Sequence, residues 1–236
     1  MKKLIFAFAL LLAVNGAQAQ GLFNKERIAN LPDFDNKFLT WGYFLGFNSY
    51  DFKIDLKEQY ADNNTDILVK PSIGFNVGLI GDMRLNEYMN LRLEPGLYFT
   101  QRDLTFPNLA EPKDYLREVK STYLHIPLLL KISTKRLNNF KPFIVGGVSA
   151  SYNLSSEEKN PEDNLQGTFR MTKLTNYYEL GFGIDFYLYY FKFTPSIRGV
   201  FAMSNEVVAD NDPNSPWTGN IDQLSTRGVF INFTFQ

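Results

Sequence analysis

Acid–base chemistry in this chain would have to start from its one histidine, His125. It stands in Ser121-Thr122-Tyr123-Leu124-His125-Ile126-Pro127-Leu128. A hydrolase would need a Ser or Thr activated by that histidine, and an acid behind it. In an extended strand Ser121 and Tyr123 share the histidine's face, opposite Leu124, Ile126, Leu128 and Leu130. Ser121 is four positions away, roughly 13 Å at about 3.3 Å per residue, too far to hydrogen-bond. A partner on a neighbouring strand stays open, but the favoured reading is a histidine that fills a polar interior. One histidine without carboxylates at ligand spacing is no metal site. The chain has no cysteine, so it has no thiolate nucleophile, disulfide or Cys-based metal site.

The other motifs are equally quiet. Gly146-Gly147 lacks the Lys-Ser/Thr that completes a phosphate loop, and Gly181-x-Gly183 sits mid-strand with no helix after it. Both pairs are expected to relieve crowding in a narrow interior. Asp210-Asn211-Asp212-Pro213-Asn214-Ser215-Pro216-Trp217 has the oxygens of a calcium loop but not its glycine or distal glutamate. It reads as a turn stacked on Trp217. The expectation is therefore no enzyme, no cofactor, no metal and no small-molecule substrate.

The elements around these residues belong to an exported protein. Lys2 and Lys3, the apolar run Leu4 to Val14 and Ala17-Gln18-Ala19 make a signal peptide over 1–19, and the apolar run is too short to cross a bilayer as a helix. No cysteine follows the cleavage point, which closes the lipoprotein route. Net charge is −1, so nothing argues for nucleic acid. Aromatic residues make up 16% of the chain, an excess that suits interfacial girdles.

Period-two alternation recurs along the mature chain. In Ser72 to Leu85, Ile73, Phe75, Val77, Leu79, Met83 and Leu85 alternate with small or polar residues. The pattern repeats at Leu91 to Thr100, Asn176 to Tyr187 and Gly228 to Phe235. Eight such stretches are predicted, at 38–51, 71–85, 89–104, 119–133, 140–153, 173–188, 191–203 and 224–235. Most exceed the roughly 9–11 residues that cross a membrane as a tilted strand. Short turns near Asn86, Lys135 to Asn139 and Tyr189 alternate with long polar loops at 52–70, 105–118, 154–172 and 204–223. That alternation predicts an all-β, eight-stranded antiparallel transmembrane barrel of the outer-membrane type over 38–236, with 20–37 as a periplasmic lead-in. Both termini then face the periplasm and the long loops lie outside. A soluble sandwich or lipocalin-like barrel is the competing fold. It would not need strands this long, or outward aromatics at both ends.

Trp41, Tyr43, Tyr88, Tyr189, Tyr190, Phe191 and Phe235 are expected as the aromatic belt of the turn side, and Tyr50, Tyr123, Tyr152 and Phe201 nearer the loop side. With the apolar face on lipid, a charged set turns inward: Asp82, Arg84, Arg92, Glu94, Arg102, Lys131, Glu179, Asp185, Lys192 and Arg198. An eight-stranded barrel is just wide enough for side chains to fill it, so these are expected to plug the lumen structurally rather than line a pore. Pro95, Pro127 and Pro195 fall inside strands and predict bulges or ladder defects.

Several stretches carry a resemblance: Trp41-Gly42-Tyr43-Phe44-Leu45-Gly46-Phe47-Asn48, Gly74 through Tyr88, Leu93-Glu94-Pro95-Gly96-Leu97, Tyr123 through Lys131, and Asp210 to Trp217. Over about Phe38 to Phe235 the chain resembles the PorT (SprT) family of outer-membrane barrels of the Bacteroidota. The Ile126-Pro127-Leu128-Leu129 type of strand is common to many small barrels of that group. The Gly74–Tyr88 stretch and the Asn-Asp-Pro-Asn-Ser-Pro-Trp loop are what narrow the resemblance to the PorT family. That resemblance implies a non-enzymatic part in type IX protein secretion of cargo with C-terminal sorting domains, and in gliding where present. Its partners would be outer-membrane lipid and other translocon proteins. The alternative is a free-standing structural or adhesive barrel that binds external ligands through its loops.

Overall fold

The computed structural model describes residues 29–58, 67–107, 109, 115–156, 158, 169–213 and 215–236. The expected signal peptide and residues 20–28 of the lead-in lie outside the described residues. After a single 3-10 turn at Phe34–Asn36 come β1 (Leu39–Leu56), β2 (Leu68–Pro71), β3 (Ile73–Arg84), β4 (Met89–Leu93) and β5 (Gly96–Thr105). They are followed by β6 (Leu116–Ser133), β7 (Phe140–Asn153), β8 (Leu174–Tyr187), β9 (Lys192–Ala202) and β10 (Ile221–Phe235). Every pairing is antiparallel, and β1 bonds both β10 and β3, so the sheet closes on itself.

The ten segments make the eight expected staves. β2 and β3 are one stave interrupted at Ser72, and β4 and β5 another interrupted at Glu94-Pro95. Proline explains the second break, because Pro95 and Pro127 have no N–H to give to the ladder. Glu94 N–H still reaches Pro127 O at 3.3 Å, and Pro95 O accepts from Leu79 N–H at 2.9 Å. No bulge results. Gly81 faces Leu93 below the break and Gly78 faces Gly96 above it, three residues on along both strands. Pro195 likewise lies in a gap whose flanks, Gly183 opposite Ser196 and Phe186 opposite Phe193, keep one register. The prolines delete hydrogen bonds without sliding the strands. The register shift lies elsewhere, between Asp55 and Leu56 of β1.

The pairings fix the barrel's shape. From Leu39 the ladder leads through Met83, Leu91, Leu130, Gly146, Leu180, Gly199 and Val229 to Ser49. One circuit therefore climbs from 39 to 49, ten residues. With strands about 4.8 Å apart and about 3.3 Å per residue, that stagger tilts them about 40° on a radius of roughly 8 Å. Room inside is short: a Cβ on Gly78 or Gly96 would stand 2.5 or 2.7 Å from the ring of Phe44, which lies across this facing glycine pair.

The short turns fall where expected. Asn86 Oδ1 accepts from Tyr88 and Met89 N–H at 2.8 Å each, the local side-chain bond that makes Asn a turn former. Asn138 takes a left-handed backbone, φ 55°, a conformation Asn tolerates better than most residues. At the other end the strands run further than predicted: β1 continues to Leu56, and β6 and β10 begin at Leu116 and Ile221. There the alternation inverts. Phe52, Leu104, Val119, Ile221 and Leu224 point inward into an apolar cluster, while Lys53, Asp55, Glu118 and Lys120 face out. Charged outer faces made these segments look like loop, and their inner faces keep them paired.

Candidate functional site

The interior is filled in layers from the turn end to the loop end. At the turn-end mouth lies the lead-in, residues 29–37, docked on its own barrel. Arg136 holds it: its Nη1 donates to Leu31 O at 3.2 Å, its Nη2 to Asn30 O and to Asn139 Oδ1, and its guanidinium stacks 3.8 Å from the Tyr187 ring centroid. Tyr187 OH donates to Asp35 at 2.6 Å, and Lys192 sits over the Phe34 ring at 4.7 Å. The segment expected as a periplasmic lead-in is, from Asn30 to Lys37, packed into the mouth as a stopper.

Above it the inward charges join. Asp82 pairs with Arg92 at 2.8 Å, and Arg92 with Glu94 at 3.5 Å. Arg198 then bridges Glu94 at 2.9 Å and Glu179 at 3.3 Å. Beside this chain Lys131 pairs with Asp185, which also accepts from Thr194 at 2.8 Å. Lys192 is buried under Phe34. Arg84, half-exposed, stays in the mouth outside the chain of pairs. Burying charge is costly unless it is paired, and these pairs offset that cost: Asp82 and Arg92 are level on adjacent staves, while Lys131–Asp185 and Arg198–Glu94 join staves that are not neighbours.

Glu179 leads on to the histidine. His125 Nε2 lies 2.7 Å from Glu179 Oε1, and Nδ1 lies 2.9 Å from Ser151 Oγ. Ser151 faces His125 directly across the β6–β7 ladder. The neighbouring-strand partner left open by the sequence therefore exists, and it is not Ser121. A serine, a histidine and an acid in this order have the connectivity of a hydrolytic triad. Access is what the arrangement lacks. Ser151, His125 and Glu179 are 1, 0 and 2% exposed, and the rings of Tyr98, Tyr177 and Phe230 pack around the imidazole at 4.9–5.9 Å between centroids. No substrate carbonyl can reach Ser151 Oγ, so the geometry supports a polar strut.

Beside it an asparagine ladder crosses β1, β3 and β10: Asn48 Nδ2 donates to Asn76 at 3.4 Å, and Asn76 Nδ2 to Asn232 at 2.5 Å. Further up, Arg102 lies 4.0 Å from the Phe52 ring centroid and donates to Thr226 at 3.2 Å and Tyr123 OH at 2.8 Å. Glu206, from the loop after β9, reaches down to Thr226 Oγ1 at 2.6 Å and accepts from Tyr177 OH at 3.1 Å. The apolar cluster of Phe52, Leu104, Phe106, Phe169, Met171 and Trp217 closes the top. Trp217 is buried there, and Arg117 stacks on its ring at 4.9 Å. Glu206 gave no sequence signal because its loop carries no periodicity. The asparagines lie on the polar face of their strands, but without charge they carry no signal that sets them apart from other polar residues there.

Burial raises the Glu206 carboxyl above the ordinary glutamate range. The folded state then holds a proton that the unfolded chain gives up, so stability falls as pH climbs from the ordinary glutamate pKa toward the folded one. Thermal unfolding in detergent should show the midpoint drop across that window. Glu206→Gln should flatten the dependence; an unchanged profile would mean that Glu206 is solvated.

The aromatic residues divide by face. Trp41, Tyr43, Tyr88, Tyr189 and Phe191 are exposed at the turn end, Tyr190 is 94% exposed, and Tyr43 stacks on the partly covered Phe235 at 5.2 Å. Tyr152 and Phe201 are outward near the loop end. Tyr50 and Tyr123 are not girdle residues: they are 0 and 3% exposed, paired inside the lumen at 5.7 Å. They share the inward parity of Phe44 and His125, and distance along a strand, without parity, could not place them.

Residues 18–208 match the family described as outer membrane protein beta-barrel domain. No curated protein matches the chain. Among solved structures, Neisserial surface protein A is similar at 8% identity and a TM-score of 0.45, covering 84% of this chain and 98% of that one. OprG of Pseudomonas aeruginosa is similar at 18% identity and a TM-score of 0.46, over 83% and 94%. Ail of Yersinia pestis, in complex with the heparin analogue sucrose octasulfate, is similar at 12% identity and a TM-score of 0.38, over 83% and 96%.

Proposed function

The chain belongs to the outer membrane protein beta-barrel domain family, and from that premise we propose that it is a non-enzymatic component of a type IX protein secretion system that acts through its ends. The resemblance to the PorT family supplies the system. The observation that carries the mode of action is the packed interior: stopper, charge chain, the inward ring layer of Phe44, Tyr50, Tyr98, Tyr123, Tyr177 and Phe230, and apolar cap succeed one another along the axis. A barrel so filled passes no polypeptide, so transport belongs to a partner, and this protein anchors or positions it. We place both termini and the short turns in the periplasm and the long loops outside, in line with the short-turn rule for such barrels. The buried Ser151–His125–Glu179 set argues for a structural interior rather than a lipid hydrolase.

Gene deletion tests the role. Cargo with C-terminal sorting domains should vanish from the medium, and affinity isolation from native membranes should recover other translocon subunits with this chain. Retained secretion would reject the proposal and leave the second reading, an adhesive barrel binding external ligands through its loops. That reading has one observation in its favour: β1, β6 and β10 continue beyond the belt as a rigid platform over an apolar core.

A further inference from the structure

The turn-end mouth is lopsided in charge. Arg92 and Lys131 are matched within the lumen by Asp82 and Asp185. Below them Lys37, Arg84, Lys141 and Lys192 gather round a cavity of about 20 Å³ that Asp35 and Asp82 also line. Asp35 is shared by Lys141 and Arg136, at 3.9 and 3.8 Å, and its nearest bond is to Tyr187 OH. Lys192 stands against a ring, and among the described residues neither it nor Arg84 has a carboxylate within ion-pair distance. Buried or half-buried cations without matching anions are costly, and a site that keeps them is poised for negative charge from outside.

We propose that this mouth is a docking site for acidic side chains of a partner protein, and that Asp35 is the cis occupant showing how a carboxylate sits there. The space holds one or two water-sized atoms, which fits a carboxylate tip and not a bulky polyanion. Residues 29–37 then serve both as stopper and as stand-in ligand, and a partner's acidic segment adds to or displaces Asp35 beside Arg136, Lys141 and Arg84. The site rests on the function proposed above only for the compartment of the partner. Its test runs on purified protein and does not depend on secretion.

The experiment is fluorescence anisotropy of labelled hexaglutamate and hexaserine peptides with the full chain in zwitterionic detergent at low salt. Hexaglutamate should bind and hexaserine should not. Arg84→Gln and Lys141→Gln should each weaken binding by up to about fivefold, the scale of one charge pair at a partly solvated site. Asp35→Asn, which removes the internal competitor, should tighten it, and Lys120→Gln at the opposite end should change nothing. Gel mobility of unheated samples confirms that each variant is folded. Equal binding of both peptides, indifference to Arg84→Gln, or an equal loss with Lys120→Gln overturns the site. Displacement by inorganic phosphate at lower concentration than by glutamate peptide also overturns it, in favour of a phosphate site.

Discussion

Replacing Arg198 with methionine should cost about 3–5 kcal/mol, enough to prevent folding of a marginal barrel, because it takes a shared cation from two buried carboxylates at once, leaving Glu94 only Arg92 at 3.5 Å and Glu179 only His125 at 2.7 Å. Arg198 lies across Gly181 of β8, whose missing side chain gives it room: a Cβ there would stand 2.5 Å from Arg198 Cγ. From that slot its guanidinium spans Glu94 and Glu179, and through them links the mouth pair Asp82–Arg92 to His125 and Ser151. The methionine variant keeps most of the volume and removes the charge. What it loses is the one cation that helps to offset the desolvation of both acids. Urea unfolding in lipid vesicles should give a much lower midpoint, or no folded band at all. Adding Glu94→Gln and Glu179→Gln should recover most of the loss, since a lumen with no stranded charge is not costly in the same way. A single variant as stable as the parent would show that water reaches Glu94 and Glu179, and a wet lumen would undo the case for a plugged barrel.

That chain of pairs shows which parts of the molecule the sequence reveals and which it hides. Parity along a strand is local, so the inward placement of Asp82, Arg92, Glu94, Lys131, Glu179, Asp185 and Arg198 could be read from alternation alone. Which acid meets which base depends on register between strands, set by turn lengths and by a ten-residue stagger accumulated round the ring. No single strand carries that information. Ser151 shows the difference: it lies 26 positions from His125 and directly opposite it. Prolines left a different choice open. Pro95, Pro127 and Pro195 predict bulges or ladder defects, and defects are what form, because the ladders on either side hold register tightly enough to absorb missing donors. The lead-in was hidden for another reason. It carries no strand periodicity, and only the convergence of Arg136 and Asn139 from the β6–β7 turn with Tyr187 at the end of β8 makes a dock for it.

The second large effect concerns the outer wall. Phe182→Arg, near the middle of the β8 stave, should destabilise the barrel by about 2–4 kcal/mol in vesicles, whereas Tyr190→Arg at the belt should cost about 0–1 kcal/mol. Both side chains are well exposed, so in water neither substitution should matter. The contrast therefore measures the solvent that the wall faces. Phe182 sits between Ile144 of β7 and Ile197 of β9, in a band where Leu180, Ile184 and Phe186 also point outward. An arginine there has to thin the bilayer or drag its guanidinium to the headgroups, while at residue 190 it is already among them. The same wall facing water would show no difference between the two positions. A depth-dependent penalty fixes the apolar face on lipid. That orientation leaves the charged face no place but the lumen, where the Arg198 chain must hold together the acids that alternation has put there.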